Sequence, residues 1–322
     1  MIESKLRQTS SLIDSIIKNC LNEADIVYRA AYHLPSHGGK RLRPFLVIKS
    51  CELVGGNFEK AIFTAAAVEL LHNFTLIHDD IMDNDSLRRG IPTVHTLWGI
   101  PMGILAGDML FAKAFQVLLS SPNVNYDCLI KAAKIMADAT VTICEGQSLD
   151  MAFEARIDVS EEEYLTMIYK KTGALFKACA EIGGLIGGGD ETTIELLGRY
   201  GGNLGIGFQI FDDYLGIFSR EEVLGKPIGS DIREGKKTLI VIKALSSKLR
   251  EDILRILGKK NISDQEIRKL IDGIKQEGID EYTLDKAKRY IKMAIDSIAK
   301  FPESEAKYDL IELANYAISR VK

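Results

Sequence analysis

The chain has 322 residues, of which 46% are hydrophobic and 27% charged. This is ordinary globular composition, and it excludes a disordered, collagen-like or low-complexity protein. Lysine and arginine number 41 against 45 acidic residues, so the net charge is −4. A nucleic-acid partner is not expected, since such domains are strongly basic. The five cysteines are scattered without a closely spaced pair, which argues against a zinc site.

The first residues of the chain predict an amphipathic helix. Leu6, Ile13, Ile16 and Ile17 recur at helical spacing, and no basic region is followed there by an apolar core and a cleavage site. No uninterrupted apolar stretch approaches the roughly 18 residues that a membrane-spanning helix needs. We therefore expect a cytoplasmic protein without a membrane span.

Helical periodicity continues along the rest of the chain. The run 61–83, rich in alanine and leucine, predicts one long helix. Ser160 with Glu163, and Ser263 with Glu266, form capping boxes that each open a further helix. No alternating strand pairs joined by Asn-Gly or Asp-Gly turns are found. We predict an all-α fold in a single domain of all 322 residues, because no Ser- or Pro-rich linker divides the chain.

Two acidic pairs each follow an apolar run. Asp79 and Asp83 are four residues apart, so on a helix their carboxylates lie on one face about a turn apart. A divalent cation between them would relieve their repulsion, and all-oxygen ligands favour Mg²⁺; the alternative is a solvated acidic helix end. Asp212 and Asp213 form the second pair, with the Gln209 amide three residues earlier. Bundles hold metals by carboxylates on facing helices, so we expect the pairs to face each other across a cavity.

Basic residues recur in or beside glycine-containing segments of the chain: 38–44, 88–90, 171–173, 225–231 and 236–237. Each cluster alone is typical of solvated surface charge. Arginine forks and lysine point charges also bind phosphate oxygens, while Mg²⁺ bridges such oxygens to carboxylates. Together with the two acidic pairs, the clusters indicate a site for one or two diphosphates.

These motifs, in this order, resemble the trans-isoprenyl diphosphate synthases, also called polyprenyl synthetases. The six segments that carry the resemblance are GGKRLRP, LLHNFTLIHDDIMDNDSLRRGIPTVH, EGQSLD, KKTGALF, FQIFDDYLG and GKPIGSDIREGKKT. The resemblance implies an isoprenoid synthase-type helical bundle around a deep central cavity, usually as a homodimer. It implies condensation of isopentenyl diphosphate with an allylic diphosphate (dimethylallyl, geranyl or farnesyl). The amino-acid sequences of the last two segments resemble those of archaeal short-chain members of the family.

The resemblance also implies a role for each matching position. The ligands of a Mg²⁺ cluster of three ions would be Asp79, Asp83, Asp150, Asp212 and Asp213. The allylic diphosphate would be bound directly by Arg88, Lys171, Lys226 and Lys236. The metal-free pocket for isopentenyl diphosphate would be formed by Lys40, Arg43, His72 and Arg89. The catalytic residues that steady the allylic carbocation would be Lys171, Thr172 and Gln209.

Two positions bear on how this chain would differ from its relatives. Gly216 stands where many relatives have the third aspartate of the second motif, so Asp212 and Asp213 would hold the metal without it. Phe74 lies five residues before Asp79, about 7.5 Å deeper along a helix, and its neighbour Thr75 is small. In the family, bulk at these two positions limits chain elongation. We predict a C20 product, geranylgeranyl diphosphate, with farnesyl or longer polyprenyl diphosphates as the alternatives.

Three other functions remain as alternatives. A terpene cyclase shares the helical fold and an aspartate-rich motif, but it would lack the isopentenyl pocket that Lys40 and Arg89 predict. A silent subunit of a heteromeric synthase would have lost aspartates of the first motif, and all three stand here. A plain helical binding module would leave the ordered motifs unexplained.

Overall fold

Helices account for nearly all secondary structure in residues 2–218, 229–259 and 261–319, which the computed structural model describes. The helices that precede the EGQSLD segment are α1 (Ile2–Cys20), α2 (Ile26–Ser36), α3 (Leu42–Leu53), α4 (Phe58–Met82), α5 (Val94–Trp98) and α6 (Ile100–Leu119). The middle of the chain forms α7 (Tyr126–Glu154), α8 (Glu161–Ile168), a π-helix (Tyr169–Gly173), α9 (Ala174–Gly187) and α10 (Glu191–Phe218). The remaining described helices are α11 (Ser230–Glu234), α12 (Leu239–Leu245), α13 (Arg250–Ile256), α14 (Asp264–Gln276), α15 (Ile279–Ser297) and α16 (Glu305–Ala317). The predicted all-α class is confirmed.

The residues group into two compact units. Unit 1 comprises Met1–Asp138, Ala178–Gly198 and Lys300–Leu313, and unit 2 comprises Ala139–Lys177, Arg199–Ala299 and Ala314–Lys322. The single-domain organisation that the sequence suggests stays a prediction.

Helix α4 is the central element of unit 1, since it contacts α1, α2, α3, α5 and α6. Its alanines are fully buried between Ala61 and Ala67, and small side chains let neighbouring helices approach closely. Leu70, Leu71 and Ile77 continue the buried surface toward the aspartates at the helix end. A helix that is apolar on nearly all sides must be buried on nearly all sides, which explains this position.

The described part of unit 2 includes two apolar cores. In one, α11 to α15 pack around Ile232, Ile240 and Ile267. In the other, Tyr164 and Ile168 of α8 pack with Ile210 and Phe211 of α10. A polar cluster ties α8 to α12 and α15, since Glu161 pairs with Lys243 at 2.6 Å and Lys286 at 2.8 Å and accepts a hydrogen bond from Tyr282.

The predicted helix starts at Ser160 and Ser263 are confirmed. In each capping box the serine hydroxyl accepts the backbone N–H of the glutamate three residues on, and that glutamate accepts the serine N–H. The glycine-rich stretch 183–189, near the end of α9, lies close to α3, since a Cβ on Gly183 would lie 2.3 Å from the Val47 carbonyl oxygen. The glycine-rich stretch therefore serves close helix packing.

One β-hairpin interrupts the helices of unit 1, and the sequence analysis did not predict it. Strands β1 (Leu87–Arg88) and β2 (Ile91–Pro92) pair antiparallel through a two-residue turn. The turn residues Arg89 and Gly90 both have positive φ, 54° and 77°. Two-residue hairpins favour that geometry but normally place Asn, Asp or Gly first, so Arg-Gly gave no turn signal.

Among the described helices, α4 and α6 are the two that are long and apolar enough, by length and composition, to cross a membrane. Most of the apolar segment of α4 is buried inside the protein, whereas less than half of the apolar segment of α6 is buried. The buried part of α4 includes Glu69, which pairs with Arg41 at 2.7 Å. A core helix that is mostly buried inside a protein meets the same criteria of length and composition.

Candidate active site

The first aspartate motif lies where α4 ends. Asp79 belongs to the last turn, and Asp83 caps the helix and donates its N–H to the Asp79 carbonyl at 2.8 Å. The helical path thus continues through both residues, which confirms their predicted one-turn spacing. Their oxygen-only side chains are the donor type that Mg²⁺ prefers.

Arg88 of β1 ties the hairpin to this motif. Its guanidinium donates to the Asp80 carboxylate and lies 3.6 Å from Asp79 and 3.9 Å from Asp85. Asp80 is buried, and burial raises the pKa of its carboxyl to about 6 although Arg88 opposes the shift. Asp80 therefore holds Arg88 in place, while Asp79 and Asp83 remain the candidates for metal. The sequence analysis gave Asp80 no role, because a run of aspartates does not show which one is buried.

The residues predicted to bind isopentenyl diphosphate come together in unit 1. Arg43 Nη1 lies 3.0 Å from His72 Nε2. Arg89 Nη1 donates to the carbonyl of Gly38, two residues before the exposed Lys40. We call Lys40, Arg43, His72 and Arg89 the basic pocket. The structure thus brings Arg43 against His72, and Arg89 against the loop that leads to Lys40.

His72 is neutral in this pocket. Arginine can only donate, so the His72 Nε2 atom accepts from Arg43. Desolvation and the neighbouring guanidiniums, chiefly Arg43 and Arg89, hold the pKa of His72 well below its ordinary value. The pocket therefore draws its charge from lysine and arginine at any pH near neutrality.

Positive charge is crowded around Arg89. Partial desolvation, and repulsion from Arg41, Arg88 and Arg43, lower the pKa of its guanidinium although Glu69 opposes the shift. An anion bound beside Arg89 would relieve this repulsion. Arginine forks match the paired oxygens of a phosphate, so the pocket suits a diphosphate that needs no metal to bind.

In unit 2 the predicted residues gather around the π-helix. Lys171 donates to the Asp150 carboxylate of α7 at 2.6 Å. The helices approach closely there because Gly146 has no side chain: a Cβ would lie 2.3 Å from the Lys171 backbone nitrogen. Single turns of π-helix are frequent at functional sites, and this one carries both Lys171 and Thr172.

A directed chain of hydrogen bonds orders Thr172 and Gln209. The Thr172 hydroxyl donates to Gln209 Oε1 at 2.8 Å, and Gln209 Nε2 donates to Asp213 Oδ1 at 2.8 Å. Tyr164, fully buried on α8, donates its hydroxyl to the other oxygen of Asp213 at 2.7 Å. Since the hydroxyl proton of Thr172 points to Gln209, the threonine oxygen presents its lone pairs elsewhere, as stabilisation of a cation requires.

Asp213 is engaged by protein donors on both carboxylate oxygens. Desolvation and the nearby Asp231 and Asp212 raise the pKa of its carboxyl to about 7, although Tyr164 and Gln209 oppose the shift. The metal-ligand role predicted for Asp213 stays a prediction, and its described contacts favour positioning of Gln209. Tyr164 lies 49 residues before Asp213 and was missed in the sequence, because no local pattern connects them.

Asp231 lies beside the position of the missing third aspartate. A Cβ on Gly216 would lie 2.8 Å from Asp231 Oδ2, so a carboxylate from the GKPIGSD segment occupies this space. Lys236 lies 3.3 Å from Glu234. The predicted residue Lys226 lies outside the described residues. Within residues 2–218, 229–259 and 261–319, no three His, Cys, Asp or Glu side chains are close enough together to hold a metal ion.

Aromatic side chains of α4 and α6 form a cluster below the aspartates. The ring of Phe74 lies 5.3 Å from that of Phe111 and 4.9 Å from that of His78, and Phe111 lies 5.1 Å from Phe115. Thr75 instead donates its hydroxyl to the His72 carbonyl at 2.8 Å. Phe111 and Phe115 were not predicted, although two phenylalanines four residues apart mark one face of a helix.

The comparison with known proteins decides the family. The family model described as polyprenyl synthetase matches residues 24–274. The chain belongs to the polyprenyl synthetase family. It is therefore a trans-prenyltransferase of the all-α isoprenoid synthase fold.

Individual relatives are similar over nearly the whole chain. The geranylgeranyl diphosphate synthase of Sulfolobus acidocaldarius is 46% identical, with 96% of each chain covered. The structure of geranylgeranyl pyrophosphate synthetase from Pyrococcus horikoshii superposes with a TM-score of 0.93 at 43% identity, over 99% of this chain and 98% of that one. The geranylgeranyl pyrophosphate synthase of Corynebacterium glutamicum, complexed with isoprenyl diphosphate and magnesium, gives 0.88 at 28% identity, with 99% of each chain covered.

Proposed function

We propose that the enzyme makes geranylgeranyl diphosphate by adding isopentenyl diphosphate to allylic diphosphates. The observation that carries the proposal lies on α4, where His72 of the basic pocket precedes Asp79 by two helical turns. A pocket suited to a metal-free diphosphate therefore adjoins a carboxylate pair suited to a metal-bound one. A condensation of two diphosphates requires both.

Ionisation of the allylic substrate would depend on charge neutralisation. Asp79 and Asp83 would hold Mg²⁺, and Asp150 and Asp212 are further proposed ligands. Bound Mg²⁺ supplies Lewis-acid stabilisation of the diphosphate leaving group. Arg88 would add a direct hydrogen bond to the same diphosphate, exchanging its contact with Asp79 for phosphate oxygens. Lys171, Lys226 and Lys236 are the other proposed ligands of the allylic diphosphate.

The carbocation would be steadied by oxygen atoms. Thr172 can direct lone pairs away from Gln209, and the Gln209 amide is fixed by its bonds to Thr172 and Asp213. The basic pocket would hold the isopentenyl diphosphate while its double bond attacks the cation. Loss of a proton, for which the released diphosphate is the proposed base, completes the new double bond.

Product length would be set by the aromatic cluster. The growing tail would extend along α4 past Phe74, about 7.5 Å from Asp79. The rings of Phe74 and Phe111 are in contact, so the barrier is built from two helices. We propose a C20 product, with C15 as the alternative if the two rings close the path earlier.

We further propose that the enzyme is a homodimer in the cytoplasm, without a membrane span and without a nucleic-acid partner. The support is an exposed apolar surface on α5 and α6, where Leu97, Ile100, Ile104 and Leu105 are each more than 40% accessible. Contiguous apolar surface of this kind marks a protein interface. A second copy of the chain would cover it. Analytical ultracentrifugation tests the dimer, and Ile104→Glu should yield monomers.

The reaction itself tests the proposed function. The purified enzyme is incubated with radiolabelled isopentenyl diphosphate, Mg²⁺ and, in turn, dimethylallyl, geranyl or farnesyl diphosphate. We expect every primer to be extended to C20 and EDTA to stop the reaction. Products ending at C15 would support the alternative, and absence of transfer with all primers would refute prenyl synthesis.

A further inference from the structure

Arg41 is the basic residue of the GGKRLRP motif that the proposed function does not use. It lies between Lys40 and Arg43, yet its side chain is fully buried. Nη1 donates to Glu69 of α4 at 2.7 Å, Nε donates to Asp14 of α1 at 2.9 Å, and Nη2 donates to the Pro35 carbonyl at 2.8 Å. These bonds connect three helices to a single guanidinium.

The backbone at Arg41 is held in an uncommon conformation. Its φ of 47° lies in the left-handed region, which residues other than glycine rarely adopt, and it immediately precedes the first residue of α3. Such a conformation persists only where the surroundings determine it. The buried bonds of Arg41 provide that constraint, and the chain direction at Arg41 determines where Lys40 and Arg43 emerge.

Glu69 connects the buried side chain of Arg41 to the basic pocket. It is three residues before His72 on α4, and Asn73 donates its side-chain amide to the Glu69 carbonyl at 2.8 Å. On the other side, a Cβ on Gly39 would lie 3.1 Å from Arg41 Nη1 and 3.0 Å from Arg89 Nη1. The guanidiniums of Arg41 and Arg89 therefore both lie against the loop that carries Lys40.

We propose that Arg41 and Glu69 are positioning residues that fix the pocket for isopentenyl diphosphate without touching it. This rests on the proposed function, since it assigns that ligand to the basic pocket. Whether Glu69→Gln weakens or strengthens diphosphate binding distinguishes a positioning role from a simple electrostatic one. Removing the negative charge of Glu69 makes the surroundings more positive, which by Coulomb attraction alone would strengthen diphosphate binding. Weaker binding in Glu69→Gln can therefore come only from lost geometry.

The test is steady-state kinetics of Glu69→Gln with both substrates varied. We expect the KM for isopentenyl diphosphate to rise about tenfold or more, as small displacements of binding groups do. The KM for geranyl diphosphate and the kcat at saturating isopentenyl diphosphate should stay within about twofold of wild type. An unchanged KM for isopentenyl diphosphate in the folded variant would overturn the proposal, and so would an equal rise in both KM values.

Asp309→Asn is the matched control. Asp309 is equally buried in unit 1 and pairs with Lys5 at 2.6 Å and Lys49 at 3.1 Å, but it has no contact with the pocket residues. This control should lose thermal stability and keep both KM values. If Glu69→Gln does not fold, the same kinetic test is made with Asp14→Asn. Asp14 is partly exposed, and its substitution removes one ion pair of Arg41 while the pair with Glu69 stays. A selective rise in its KM for isopentenyl diphosphate supports the proposal, and an unchanged KM overturns it. Wild-type enzyme without any transfer activity would refute the proposed function instead.

Discussion

Gly146 of α7 allows the π-helix to reach its position, and Gly146→Ala should displace it. The added Cβ would lie 2.3 Å from the Lys171 nitrogen and 2.7 Å from the Lys170 carbonyl carbon. Both are backbone atoms, so no side-chain rotation relieves the clash. Ordinary contact begins at 3.4 Å, so the backbone that carries Lys171 and Thr172 must move by about 1.1 Å.

The expected magnitudes follow from that displacement. Overpacking costs about 1–3 kcal/mol, and alanine in place of glycine inside a helix returns about 1 kcal/mol. The net loss of unfolding free energy should be about 0–2 kcal/mol. A shift of 1 Å in groups that position the reaction can reduce the rate about 100-fold. We therefore expect kcat to fall far more than stability does.

Gly202→Ala is the control for Gly146→Ala. It adds the same methyl group next to the π-helix, but there the Cβ meets the Tyr169 ring at 3.5 Å, which is an ordinary contact. Gly202→Ala should be slightly more stable than wild type with the same kcat. Single-turnover rates with geranyl diphosphate and calorimetric unfolding measure both effects. A stable Gly146→Ala enzyme with wild-type kcat would refute the reasoning.

Three further predictions concern metal, product length and pH. Asp83→Ala should reduce kcat by about two orders of magnitude or more and leave the circular dichroism unchanged, since it removes a proposed metal ligand outside the core; wild-type turnover would contradict the metal role. Phe74→Ala should give products beyond C20 on thin-layer chromatography, whereas an unchanged distribution would place the barrier elsewhere. Burial alone would raise the pKa of the Glu161 carboxyl, but hydrogen bonds from two lysines and a tyrosine lower this pKa to about 2. A carboxyl with a lowered pKa stabilises the fold at pH values above its ordinary pKa, and this contribution is lost as the pH falls toward the lowered pKa. The difference in unfolding free energy between wild type and Glu161→Gln, measured in urea, should therefore shrink from about pH 5 toward pH 2. A pH-independent difference would contradict this.

Much of the fold could be predicted because the local patterns agree with it. The capping boxes at Ser160 and Ser263 locate two helix starts, and the apolar run before Asp79 predicts the central helix. The hairpin could not be predicted, because Arg89 in the left-handed region is held there by tertiary contacts and not by its own preference.

The sequence predicts which residues belong to the candidate site, but it does not predict which side chains contact each other there. The motifs point to Lys40, Arg43 and Arg89, and the structure brings these together. Sequence spacing does not show that Arg41 points inward and Arg43 toward His72, since both lie at the start of α3, where helical periodicity has barely begun. Nor does it show that Tyr164 bonds Asp213, because the pairing depends on how two distant helices pack.

We propose that the basic pocket, to which α4 contributes His72, binds a diphosphate without metal beside the metal-dependent site at the end of α4. Calorimetric titration of wild type and Arg89→Ala with isopentenyl diphosphate in EDTA tests this most directly. We predict saturable binding to wild type without metal and at least about tenfold weaker binding to Arg89→Ala, the loss expected for a charge-assisted bidentate contact. Binding that requires Mg²⁺, or equal affinity in both proteins, would contradict the claim.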